Sequence, residues 1–428
     1  MKIRNNPRAL GIPADTPNHQ AWIYGLAYPV QLSSTEAGLF AQIGRKDLLG
    51  QKKGDLVTGT DLVLFDRIDP FVPKATVPLN RGYECDHPGT GERILMSAGN
   101  VVGGFVPLGA LREDGSPHPH AGTGFGLHVL TSYPLGRPGG PEALDDPFTI
   151  FRCQQFRYDG TRFEIRQDRE TSPHDVIPDY EMRNHPLRFA IPDGDDLLMA
   201  LGVVTEEIQA TDIESCKTGI ARWRRDESGA WRVHDFNLVR RAENTYEPTL
   251  ARDLDGSLLV TARPTEHNDG IYDIYVWRSE DGGATWEEVL REGPLRSGPV
   301  SINCAVDGSP YIAAGATHTP QGVEREYVRE AITVWPLADD RRSLLDPIIA
   351  RDGLKEFGRN PEGHIRAVDH PSGRTVRLSD GQWRHLIGFR ILSPFEIKIG
   401  LDETVIAVPG VYLDEILSDG PPAPEWKF

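Results

Sequence analysis

The sequence predicts an all-β fold, a six-bladed β-propeller, with seven blades as the alternative count. Three observations predict it. Residues 279 to 286 read Ser-Glu-Asp-Gly-Gly-Ala-Thr-Trp, an octet with the chemistry of a hairpin cap. Ser279 and Asp281 can bond turn amides, Gly282 and Gly283 tolerate positive φ, and Trp286 can pack beneath the next strand. Degenerate cousins, each an Asp-Gly or Ser-Gly turn closed by an aromatic, run from Tyr158 to Phe163, Asp226 to Trp231 and Ser379 to Trp383. A longer repeat starts at a proline, crosses a short strand, turns at an acidic-Gly pair and returns; Glu247 to Arg263 shows it best. Finally, 44 Gly and 34 Pro spread turn signals along the chain and leave few helical periods.

The repeat orders the elements. Its copies run from Pro29 to Glu36, Pro107 to Asp114, Pro186 to Asp193, Pro248 to Asp255, Pro299 to Asp307 and Pro394 to Asp402. The prolines lie 78, 79, 62, 51 and 95 residues apart, spacings that suit one four-stranded blade each. The last copy has too little chain left for four strands. The alternating run Ala21-Trp22-Ile23-Tyr24-Gly25 is expected to supply its outer strand and close the ring. Strand-like text at His364 to Val368 keeps the seven-blade count open. The best helix candidate, Ser33 to Leu49 with Ser33 and Glu36 at capping-box spacing, competes with the first blade. No linker is evident, so residues 1–428 read as one propeller domain.

Against 46 basic residues stand 63 acidic ones, a formal charge of −17 with no basic stripe, which argues against nucleic acid as a partner. Cys85, Cys153, Cys216 and Cys304 are widely spaced and suit neither a zinc site nor a disulfide framework. No metal site and no cofactor are expected, although a structural calcium ion in the channel stays open. The N-terminus has no apolar core of a signal peptide and no stretch is long enough to span a membrane. The expectation is a cytoplasmic protein without a membrane partner, or a secreted one if a signal peptide has been removed.

Function on a propeller resides at the channel mouth, where the ends of the innermost strands meet. The residues before the repeat prolines are Tyr28, Val106, His185, Glu247, Gly298 and Ser393; those eight after the acidic turn residue are Gly44, Gly122, Leu201, Arg263, Gly315 and Gly410. One copy offers Glu247 and Arg263 where its siblings are mostly small or apolar. The fold does not require that departure. A structural ion pair is the bland alternative.

Here the chain resembles the sialidase superfamily of glycoside hydrolases. Glu247, the Asp255-Gly256 turn, Arg263 at the end of the returning strand and then the octet Ser279 to Trp286, an Asp box, follow that family's order. The resemblance implies a sialidase-like propeller in which Glu247 activates a tyrosine nucleophile and Arg263 clamps a sugar carboxylate. Asp66-Arg67-Ile68-Asp69-Pro70 only approximates the family's Arg-Ile-Pro motif. Asp86 is the candidate acid, and Tyr327 or Tyr412 the candidate nucleophile.

A second group is Ser116-Pro117-His118-Pro119-His120, which follows the Asp114-Gly115 turn and is therefore expected on a returning strand near the same mouth as Arg263. His118 and His120 are candidate acid-base groups, with structural or metal-binding roles as alternatives. Arg188, His185, His318 and Arg45 are further candidate substrate ligands, and His267 and Asp269 could line the rim. Three functions follow. The first is a glycosidase releasing a terminal acidic sugar from an oligosaccharide. The second is a lyase cleaving uronate-containing glycan by β-elimination through His118, His120, Tyr246 and Arg263. The third is a glycan-binding or protein-binding propeller without catalysis.

Overall fold

The computed structural model describes residues 1–6, 19–20, 27–45, 57–66, 69–135, 143–184, 188–204, 216–239, 245–264, 271–317, 331–353, 355, 367–392 and 410–428. Antiparallel strands form six blades around a channel. Ala27–Gln31 begins the first blade, followed outward by Ala37–Arg45, Val57–Phe65 and Pro73–Arg81. The second blade runs through Arg93–Val106, Thr123–Pro134, Thr149–Tyr158 and Phe163–Thr171, and the third ends outward in Asp196–Val204, Lys217–Arg225 and Trp231–Leu238. Thr245–Arg252, Leu258–Pro264 and Ile271–Ser279 build the fourth.

Glu287–Cys304 serves two blades. Its first half pairs with Ile271–Ser279 as the outer strand of the fourth blade, and its second half pairs with Pro310–Thr317 as the inner strand of the fifth. The sixth blade has Ala367–Arg377 innermost, then Trp383–Leu392 and Gly410–Leu417. Lys2–Arg4 adds the outer strand, with Ile3 opposite Ile416. The ring thus closes by an N-terminal strand as expected, but the strand is Lys2–Arg4; Ala21 to Gly25 lie outside the described residues.

Two more readings change. Ala37–Arg45 is a strand, every described residue of it buried, so blade patterning overrides the capping-box spacing at Ser33 and Glu36. The sixth repeat starts at Pro371, inside Ala367–Arg377, and its turn is Ser379 to Gln382; Pro394 to Asp402 lie outside the described residues. The strand-like text near Val368 is therefore the sixth inner strand and does not announce a seventh blade.

Apolar side chains cement neighbouring blades. Ala27, Leu39 and Val63 of the first meet Val376, Leu386 and Val411 of the sixth, and between the second and third Phe125 stacks on Trp223 with centroids 4.0 Å apart. Local turn chemistry is as the octet dictates: Gly283 N donates to Ser279 Oγ at 2.8 Å, Thr285 N to Asp281 Oδ1 at 2.8 Å, and Trp286 Nε1 to Gly283 O at 3.1 Å. The C-terminal segment crosses the end of the channel where inner strands turn outward. Ala423 N donates to Val306 O, Leu111 N to Lys427 O, and Trp426 is buried.

A candidate active site at the channel mouth

Proline cannot donate to a strand ladder, so a proline near the start of an inner strand forces an irregularity. The fourth, fifth and sixth blades show it at equivalent places. Pairing skips between Tyr246 and Thr249, between Ser297 and Val300, and between Asp369 and Ser372. Glu247 and His370 occupy the skipped position before proline and have φ of 52° and 54°. Left-handed backbone is rare for residues with a Cβ, and it is doubly unusual before proline, where extended conformations are preferred. Such conformations cost about 1–3 kcal/mol each and concentrate at functional sites.

These two residues meet. His370 Nε2 lies 3.3 Å from Glu247 Oε1, and Arg263 NH1 lies 3.3 Å from Glu247 Oε2. The bulges of the fourth and sixth blades are each backed by an arginine from the returning strand: Arg263 stands opposite Tyr246 in register and Arg390 stands opposite Asp369. The Arg263 guanidinium lies over the Tyr246 ring, 4.7 Å from its centroid. Arg390 Nε donates to Asp369 Oδ1 at 2.6 Å. Asp369 Oδ1 is in turn 2.8 Å from His370 Nδ1, without a hydrogen bond between them. A chain of polar contacts therefore runs Arg390, Asp369, His370, Glu247, Arg263. It passes from a fully buried carboxylate, Asp369, to groups that reach solvent, with Glu247 13% and Arg263 18% exposed.

Tyr28, the residue before the first repeat proline, belongs to the same cluster. Burial first, and then the charge of Glu247, push its phenol far above the usual tyrosine range, with Arg390 pulling the other way. Its hydroxyl is buried without a hydrogen-bond partner among the described residues. This phenol stays protonated, which is the opposite of an activated nucleophile.

The other predicted residues fare differently. His118 and His120 lie in the connection from Val106 to Thr123, beyond the end of the second inner strand. There Pro107 follows the strand, whereas Pro248 lies near the start of its own, so the shared spacing inverts the register. His118 Nε2 donates to Gly194 O at 3.1 Å and its ring meets Trp426 edge-on, which places the pair at the turn end of the channel, away from Glu247. Burial lowers the pKa of both imidazoles.

Arg188 is buried and spoken for, donating to Gly373 O at 3.1 Å, to Leu250 O at 2.8 Å and to Glu425, so it does not bind substrate at the mouth. Asp86 is 75% exposed on Tyr83–Asp86 with Arg93 3.3 Å away, and it does not join the cluster around Glu247. Tyr412 stacks on Phe389 within the sixth blade, not at the mouth. Arg45 ends the strand Ala37–Arg45, its side chain outside the described residues; His185, His267, Asp269, His318 and Tyr327 also lie outside them. Among the described residues no group of three His, Cys, Asp or Glu is arranged to hold a metal ion.

Sequence reasoning missed His370, Asp369 and Arg390. Their signal was present: His370-Pro371 repeats the Glu247-Pro248 pattern and precedes a Ser-Asp-Gly turn closed by Trp383.

Comparison with known proteins supports the fold. No protein-family model matches the chain. No curated protein matches it. Its structure is similar to a protein of unknown function from Dyadobacter fermentans, at 14% identity over 97% of this chain and 99% of that one, with a TM-score of 0.53. Lesser similarity reaches a Trypanosoma rangeli sialidase with the inhibitor DANA, at 10% identity over 93% of this chain and 55% of that one, TM-score 0.49. A Penicillium chrysogenum α-L-arabinanase with arabinobiose gives 10% identity over 97% and 98% of the two chains, TM-score 0.49. At these identities the likeness concerns fold alone.

Proposed function

We propose that the protein is a glycoside hydrolase acting on a carboxylated sugar at the mouth where Glu247, Arg263 and His370 converge. One observation carries the reading: Glu247 is held in a left-handed bulge so that its carboxylate faces both Arg263 and His370. A fold has no need of two strained residues whose side chains meet, whereas a reaction that moves a proton does. Arg263, 18% exposed, presents a planar guanidinium of the shape that pairs with a carboxylate.

Glu247 then takes a proton from the attacking water as the water oxygen bonds the anomeric carbon and the glycosidic C–O bond breaks, and the leaving oxygen takes up a proton from solvent. His370 Nε2, 3.3 Å from Glu247 Oε1, is placed to relay the proton that Glu247 accepts. Tyr28 keeps its proton and takes no nucleophilic part. The Asp-box chemistry of Ser279 to Trp286 agrees with the sialidase-like order of motifs.

A second reading, β-elimination from a uronate, is favoured by the carboxylate behind His370. An imidazole backed in this way is a ready base for a carbon-bound proton, with Arg263 neutralising the substrate carboxylate. This elimination moves from His118 and His120 to His370. Mass spectrometry of products from sialylated and uronate-containing oligosaccharides decides: hydrolysis adds one water across the break, and elimination leaves an unsaturated sugar without that gain.

A further inference from the structure

Deeper in the channel, along the strand that carries His370, the charges do not balance. Arg188 and Arg374 are both about as buried as side chains become, each 2% exposed, and they share a single carboxylate, Glu425. Arg374 NH2 donates to Glu425 Oε2 at 2.9 Å and to Ala190 O at 3.0 Å. Among the described residues its buried Nε and NH1 find no hydrogen-bond partner. Arg188, by contrast, has every nitrogen engaged.

The neighbouring titratable groups do not supply the missing negative charge. Burial holds His385 at a pKa of about 3, hence neutral. Burial pushes the Cys304 thiol up to about 12 and the Tyr311 phenol well above its usual range, so both stay protonated. Arg341 and Asp253 nearby neutralise each other, with Nε donating to Oδ2 at 2.6 Å. Among the described residues, two guanidiniums against one carboxylate leave one positive charge. Arginine does not relieve it by releasing a proton, and an uncompensated buried charge is strongly destabilising.

We propose that the channel interior holds a small monovalent anion of the halide class against Nε and NH1 of Arg374. The anion supplies both the missing charge and the missing acceptor. The C-terminal segment that delivers Glu425 also covers this end of the channel, through Trp426 and the Leu111 to Lys427 hydrogen bond. The ion is therefore a resident of the folded chain, independent of the reaction at the mouth.

Two measurements test it. Crystals of the full chain grown in sodium bromide are expected to show an anomalous peak within hydrogen-bond distance of the Arg374 guanidinium; density there without anomalous signal, hence water, would overturn the proposal. In solution, the melting temperature should rise saturably with sodium chloride relative to sodium gluconate at equal ionic strength, as for any ligand that binds only the folded state. Arg374→Met leaves Arg188 and Glu425 as a one-to-one pair and should abolish the difference between the salts. Equal melting temperatures in the two salts at every concentration would contradict a bound anion in the wild-type chain, whatever the variant does.

Discussion

Glu247 and His370 come from blades two apart in the ring, share the same left-handed conformation before a proline, and touch at 3.3 Å. Their backbones are held against preference by the ladders on either side of each bulge, and their side chains close the gap between blades. The contact links a chemical pair to a structural repeat, since equivalent positions of one motif have been given a carboxylate and an imidazole.

The backbone strain is separable from the chemistry. Glycine accepts positive φ without penalty, whereas alanine does not, yet both remove the side-chain contact. At position 247 and again at position 370, the glycine variant should be more stable than the alanine variant by about 1 kcal/mol. Urea midpoints at fixed slope measure this. An alanine variant as stable as the glycine one would mean that the backbone is not strained there.

His370→Gln retains a side chain able to bond Glu247 but has no imidazole to relay a proton. The expected outcome is a lower kcat and a changed pH profile with little change in melting temperature. An unaltered profile would leave His370 as a packing residue.

Arg263→Ala should reduce kcat/KM on a carboxylated substrate by a factor corresponding to about 2–3 kcal/mol, the range for hydrogen bonds to charged groups. On the matching neutral sugar it should change kcat/KM much less. Equal losses on both substrates would assign Arg263 to holding Glu247 alone.

Two buried histidines set the acid limit of stability. Burial depresses His128 to about 3, against a compensating bond to Gln154, and depresses His385 to about 3. Both are neutral when folded and bind protons once unfolded below the ordinary value of 6.5. Stability is therefore full above that pH and falls as pH drops from it toward the folded values. The slope is roughly 1.4 kcal/mol per pH unit for each histidine. Denaturant midpoints at pH 7.5 and about pH 5.5 should differ accordingly, and His128→Gln should reduce the slope by about 1.4 kcal/mol per pH unit.

The architecture was legible because its signals are local. The Ser279 to Trp286 turn and the Asp255-Gly256 turn are fixed by side chains within a few residues of the bonds they make, so neither needs the rest of the chain. Glu247 and Arg263 were legible for a related reason: they depart from their own repeat. The remainder of the site depends on which proline begins which strand. Pro107 and Pro248 are each followed by an acidic turn at the same spacing, but one ends its strand and the other starts it. Spacing cannot distinguish the two, which is why His118 and His120 were expected at the wrong end of the channel. Anchoring the last repeat at Pro394 instead of Pro371 likewise hid Asp369, His370 and Arg390. Arg188 looked like a free ligand because its partner, Glu425, is remote in sequence and arrives on a segment without regular structure.

The most direct test of Glu247 as the reacting carboxylate is product analysis with wild type and Glu247→Gln on the same panel of sialylated and uronate-containing oligosaccharides. Wild type should release a terminal acidic sugar with the gain of one water, and Glu247→Gln, folded and of similar melting temperature, should lose that activity by several orders of magnitude. Retention of full hydrolysis by Glu247→Gln would contradict the assignment, and products without added water would replace hydrolysis with elimination at His370.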